Sequence, residues 1–93
     1  MPKFVVERNI SNAAGLTDEQ LRQIAAKSNA VVAELGEPYT WLTSYVAGDK
    51  IYCIHEAASA EAIYRHAKNG GFPADKVTEI AAVIGPATAN GGA

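Results

Sequence analysis

Cysteine, tryptophan and methionine each occur once in these 93 residues. A lone cysteine excludes an internal disulfide framework, and one chain cannot build a four-thiolate metal site from it. With no Cys-x-x-Cys pair, a thioredoxin-like redox site and a cysteine-ligated iron–sulfur cluster are excluded too. A surplus of charge is also missing: eight basic residues stand against ten acidic ones, a net charge of −2. Without a Lys/Arg cluster, neither nucleic acid nor an anionic membrane surface is an expected partner. No apolar run approaches the ~20 residues of a membrane span, and the opening MPKFVVERNI lacks the long apolar stretch of a signal peptide. The expectation is a soluble, cytoplasmic protein.

What is present is an apolar fraction of 48%, ordinary for a folded domain and too high for a disordered chain. The length allows one core, expected over residues 1–86, with the small residues of 87–93 forming a flexible tail. So short a chain buries only roughly 60–65% of its unfolded surface, and pairing with a second copy is a common remedy.

Phe4 to Ile10 read as a first strand. Thr17 with Gln20 forms a capping box, Asp18 and Glu19 suit the first turn of a helix, and Leu16 with Leu21 can form a hydrophobic staple. Apolar residues then recur at helical spacing from Leu21 to Leu35, small Ser28 filling a gap, and Gly36 supplies the stop. Tyr39–Ala47 and Lys50–Ala57 read as strands joined by the two-residue turn Gly48-Asp49. Ser59 opens a second helix to about Lys68, Gly70-Gly71 closes it, and Val77 to Ile84 is a last strand. Strand, helix, strand, strand, helix, strand is the order of the ferredoxin-like α+β fold: a four-stranded antiparallel sheet with both helices on one face.

The two-residue turn fixes a register in which Tyr45 opposes Tyr52, Ser44 opposes Cys53, Leu42 opposes His55 and Trp41 opposes Glu56. The more aliphatic face, with Leu42, Ser44, Val46, Ile51, Cys53 and His55, suits the helices. Phe4, Val6, Ile80, Ala82 and Ile84 are expected to join it. The open face then carries Trp41, Tyr45, Tyr52 and Ile54 beside the carboxylates Glu7, Glu56 and Glu79, with Val5 and Val77. Such a face is too aromatic to stand bare. Two of them packed together make a dimeric α/β barrel.

Two kinds of site are expected from these residues. Glu7, Glu56 or Glu79 among aromatic rings could act as a general acid or base on an enclosed substrate, the work of a cofactor-independent isomerase or monooxygenase. Equally, Trp41, Tyr45 and Tyr52 serve as dimer anchors while the glutamates pair with Arg8 or a lysine. Cys53 and His55 lie two residues apart, on one face, close enough for a metal ion to bridge them, with His66 a further candidate ligand. Without a metal, Cys53 is a small buried hydrophobe, His55 ends a strand at the sheet edge, and His66 is a solvated group near a helix C-terminus. Tyr64 and Arg65 read as surface residues. GGFPADK lacks the spacing of a phosphate loop and follows a helix instead of opening one.

The stretches FVVERNI, YTWLTSYV, DKIYCIHEA and AIYRHAKNGGFPADKVTEI resemble a family of small bacterial proteins of unassigned function, which includes nickel-binding, nickel-responsive proteins of actinomycetes. The resemblance runs from Phe4 to about Pro86 and is most specific in TWLTSYV, the Tyr52-Cys53 pair and the GFPAD turn. It implies a ferredoxin-like homodimer, with nickel as ligand in at least some members. Cys53, Glu56 and Asp75 match the metal-binding members in position, whereas Arg8, Asn9 and Phe72 stand where those members are richer in histidine. The reading that follows is a homodimeric protein binding nickel or another divalent transition metal, with a small-molecule enzyme and a purely structural module as the alternatives.

Overall fold

The computed structural model describes residues 1–92. β1 (Lys3–Asn9) is followed by a short 3₁₀ turn at Ala13–Gly15, then α1 (Asp18–Glu34), β2 (Tyr39–Ala47), β3 (Lys50–Ala57), α2 (Ala60–Gly70) and β4 (Lys76–Glu79). The sheet is antiparallel in the order β2-β3-β1-β4, the expected ferredoxin-like arrangement. The tail expected over 87–93 includes a 3₁₀ turn at Pro86–Asn90 and ends in Ala93, which lies outside the described residues.

Local chemistry explains the elements. Thr17 Oγ1 accepts the Gln20 N–H, and Gln20 Oε1 accepts the Thr17 N–H, so the capping box forms as expected. Gly36, at φ +70°, takes the left-handed conformation that ends the helix. Ser59 holds the N-cap position of α2, but its hydroxyl makes no cap hydrogen bond. In α2 the buried residues Ala62, Ile63, His66, Ala67 and Gly70 follow one helical stripe against the sheet. In α1 only Ser28 and Val31 are buried, so α1 stands less tightly on the sheet than α2 does.

Phe4, Val6 and Arg8 on β1 and Ile51, Cys53, His55 and Ala57 on β3 alternate into the layer beneath the helices. Three expectations for the faces need correction. β2 and β3 keep the expected pairing from Ala47 opposite Lys50 to Thr43 opposite Ile54, but Trp41 then faces His55, with Leu42 bulged out between them. The bulge reverses the phase of the outer half of β2. Trp41 therefore belongs to the helix side, not the open face, and Leu42 is exposed.

Val77 opposes Val6 and Glu79 opposes Phe4, so both lie on the helix side and neither joins Glu7 on the open face. β4 also stops at Glu79, far short of Ile84. The last backbone bond from this segment to β1 is the Ile80 N–H to the Lys3 carbonyl, at 2.8 Å. Val83 and Ile84 are consequently exposed, and Ala82 and Ile84 do not join the helix side.

Candidate functional site

The helix side of the sheet concentrates the chain's chemistry. On β1, Arg8 follows Phe4 and Val6 in the inward phase and is 4% exposed. Its Nε–H donates to Cys53 Sγ at 3.3 Å, and Nη1 donates to the Pro73 carbonyl. The guanidinium lies over the Phe72 ring, 5.4 Å from its centroid. The turn that supplies Phe72 and Pro73 is fastened to the same strand, since the Asp75 N–H donates to the Glu7 carbonyl and Asp75 Oδ2 accepts the Asn9 N–H.

Behind this lies an aromatic cluster. His55 is in the sheet interior, since β3 runs between β2 and β1, and not at the edge. Its Nδ1 shares a 2.6 Å hydrogen bond with Tyr39 Oη. His66 is fully buried, contrary to its reading as a solvated group. It stacks on Tyr39 and meets His55 edge-on, with centroids 5.0 and 5.1 Å apart. Its Nε2 pairs with Ser28 Oγ at 3.1 Å, leaving Nδ1 buried without a partner.

Burial sets the protonation of this cluster. His55 is pushed down to about 3 by desolvation, then by His66 and by the charge of Arg8. His66 is pushed down to about 4 by desolvation and by Arg8, with a hydrogen bond to the Ser28 backbone acting the other way. Burial raises the Tyr39 phenol, and Arg8 opposes it. At neutral pH both rings are uncharged, and Tyr39 is a neutral phenol.

Between the first half of α1 and the sheet is a cavity of about 260 Å³. Leu21, Ile24, Ala25 and Ser28 line it from α1. Trp41, Ser44, Val46, Ile51, Cys53 and His55 line it from β2 and β3, and Arg8, Ile10 and Phe72 complete the wall. The bulge matters here: it brings Trp41 inward, where its Nε1–H donates to Ser44 Oγ at 2.9 Å. A largely apolar cavity with a few converging polar groups is the usual form of a small-ligand site.

The expected site residues thus divide. Cys53, His55 and His66 come together on the helix side, with Trp41 beside them. Glu7, Tyr45, Tyr52 and Glu56 stay on the open face, where Glu7 pairs with Lys50 at 3.3 Å and Tyr45 is 61% exposed. No carboxylate lines the cavity. Tyr64 is exposed, and Arg65 pairs with Glu37 at 2.8 Å, holding that carboxyl below its ordinary value. Sequence reasoning missed Arg8, Ser28, Ser44, Tyr39 and Phe72 as parts of one site. The available signal was Arg8, a charge in the inward phase of an apolar strand.

As a nickel site the three expected donors do not fit in this arrangement. Cys53 Sγ accepts from the cationic Arg8, and although His55 Nδ1 bonds Tyr39 and His66 Nε2 bonds Ser28, leaving each ring its other nitrogen, the three are not grouped around one position. Among the described residues, no group of three or more His, Cys, Asp or Glu is placed to hold a metal ion. The buried guanidinium adds a like charge, and among the described residues no carboxylate pairs with it. Nor, among the described residues, is any helix long and apolar enough to cross a membrane.

Comparison with known proteins places these features. A search of curated proteins found no match. Among solved structures, one described as "Crystal structure analysis of SCO4226 from Streptomyces coelicolor A3(2)" is similar at 27% identity, with a TM-score of 0.74. The match covers 88% of this chain and 99% of that one. The family model described as nickel responsive protein SCO4226-like matches residues 4–80, from the first inward residue of β1 to the end of the sheet. The chain belongs to the SCO4226-like family of nickel-responsive proteins.

Proposed function

We propose that this member of the family is a ligand-binding protein whose binding site is the cavity between α1 and the sheet. One observation carries the reading: an otherwise apolar cavity keeps Arg8, Cys53, His55 and Ser28 on its wall. A buried charge is costly unless it is paired, and Arg8 has no carboxylate partner among the described residues. The only tryptophan of the chain lines that cavity, so its fluorescence reports occupancy. Titration with a library of small aromatic and aliphatic fragments is expected to change Trp41 emission saturably. Ala25→Leu, which fills the cavity from α1, is expected to abolish the response while the circular dichroism spectrum is retained. An equal response in Ala25→Leu would remove the cavity from consideration.

Direct nickel binding through Cys53, His55 and His66 is the second reading, and the family description favours it. Against it stand the placement of the three residues, which form no metal-holding group among the described residues, and the neighbouring guanidinium. Elemental analysis of tag-free protein after nickel loading separates the two. We expect no stoichiometric nickel; near-stoichiometric uptake, lost in Cys53→Ala or His55→Ala, would establish the metal reading.

The open sheet face, with Tyr45, Tyr52, Val5 and Ile54, is proposed to pair two copies, the glutamates of that face taking structural partners as Glu7 takes Lys50. A carboxylate catalyst among the aromatic rings of that face is not favoured, because Glu7 is paired with Lys50 and Glu79 lies on the helix side. Analytical ultracentrifugation is expected to give twice the 9.8 kDa chain mass, falling to the monomer in Tyr45→Asp. A monomeric wild-type chain would overturn the pairing and leave the cavity reading intact.

A further inference from the structure

We infer that the cavity takes a small monocarboxylic acid with an apolar body, its carboxylate received by the guanidinium of Arg8; this inference rests on reading the cavity as the binding site.

Arg8 is the argument. A guanidinium carries five N–H donors and cannot shed its charge. Here the protein supplies only a thiol to Nε, a backbone carbonyl to Nη1 and the face of Phe72. None of these is a carboxylate. The chain's ion pairs among the described residues are Arg22 with Glu19, Lys50 with Glu7, and Arg65 with Glu37, so no carboxylate pairs with Arg8. The acidic residue of the adjoining turn, Asp75, turns its carboxylate to the Asn9 N–H instead. A buried cation without a counter-charge is costly to keep unless something completes it. Arg8 lines the cavity and Nη2 has no protein partner among the described residues, so the cavity is where a counter-charge can enter.

The character of that counter-charge follows from the rest of the wall. The fork of donors matches a planar carboxylate in two parallel hydrogen bonds. One cation and no second basic residue on the wall neutralise one negative charge, so a phosphate dianion would be left half compensated. Leu21, Ile24, Val46 and Ile51 offer only apolar contact, and Trp41 offers a ring face, so the body behind the carboxylate is hydrocarbon or aryl. A cavity of about 260 Å³ is below the ~300 Å³ at which drug-sized sites begin, which restricts the acid to a small molecule.

The test compares acids with their own amides, which keep the shape and lose the charge. The ¹⁵N-labelled full chain is titrated near neutral pH with phenylacetate and phenylacetamide, and with hexanoate and hexanamide. Backbone amide shifts and the Trp41 indole N–H are followed. At least one acid is expected to bind about tenfold or more tighter than its amide. Its shifts should centre on Arg8, Ser28, Trp41 and Cys53, and the preference should be lost in Arg8→Gln. Which pair responds tells an alkyl from an aryl body. An amide that binds as tightly as its acid overturns the carboxylate inference and leaves the cavity reading standing. Acid preference with shifts centred on the open face also overturns it. No shift around the cavity with any of the four compounds overturns both. If Arg8→Gln does not fold, the acid-to-amide ratio of the unmodified chain decides.

Discussion

Glu7 and Arg8 are neighbours on β1, and the sheet treats them in opposite ways. Glu7 turns to the open face and pairs with Lys50 at 3.3 Å while both remain partly exposed. Arg8 turns beneath the helices, is almost wholly buried, and meets a thiol, a carbonyl and an aromatic ring. The same division holds across β3, where Tyr52 and Glu56 face outward while Cys53 and His55 face inward. On the open face charge stays at the surface, and for Glu7 it is balanced by a partner of opposite sign. On the helix side charge is either expelled, as in the two histidines, or kept without a counter-ion, as in Arg8. An arrangement of the second kind sets the cavity apart from ordinary core.

The largest expected effect that would break this comparison is on pH dependence. In the unfolded chain the histidines titrate near ~6.5, whereas in the fold they lie at about 3 and about 4. The unfolded state therefore takes up protons first as pH falls. The stability contributed by neutral rings is complete above about pH 6.5 and is lost as pH falls from there, towards about 4 for His66 and about 3 for His55. Two such rings predict a loss of roughly 4 kcal/mol between pH 7 and pH 5, read by urea unfolding at both. A loss below about 1 kcal/mol would show that the rings keep their protons inside the fold.

Next comes packing. Ile63 is fully buried in α2, and Ile63→Ala is expected to cost about 3 kcal/mol in the same assay. Tyr45→Ala on the open face should cost the single chain no more than about 0.5 kcal/mol. Similar costs for the two would erase the distinction between the faces. A finer probe is Ser28→Ala, which removes the one hydrogen bond of the His66 ring and leaves both of its nitrogens unpartnered. About 1–2 kcal/mol of destabilisation is expected. The smallest effect is reserved for Glu7→Gln, which breaks a partly exposed ion pair and should change stability by less than about 0.5 kcal/mol at moderate salt.

Much of the frame is legible in residue spacing alone. The capping box at Thr17, the turn at Gly48-Asp49 and the pairing inward to Thr43 each depend on neighbours in the sequence, and each forms as read. The placement of Cys53 and His55 on the helix side follows from that register. Trp41 does not, because the bulge at Leu42 has no local signature: nothing in TWLTS requires an extra residue there. The early end of β4 was equally hidden: the apolar run from Ile80 to Ile84 reads as strand, yet the pairing with β1 stops at Glu79. His66 and Arg8 are a different case. Both fall on the buried stripe of their element, His66 with Ala62 and Ile63, Arg8 with Phe4 and Val6. Their polarity argued for solvent, and tertiary packing overrode it. The candidate site is assembled from just such residues, which is why it was the least readable part of the chain.

The bulge at Leu42 also bears on how this chain can change in length. Because Trp41 already faces His55 and Thr43 already faces Ile54, loss of the Leu42 codon would leave every partner on β3 in place and only straighten β2. Loss of Thr40 would instead rotate Tyr39 away from His55 and unseat the aromatic cluster. Within this strand, tolerance to deletion is confined to the outer bend, and relatives one residue shorter at that point can share the same interior.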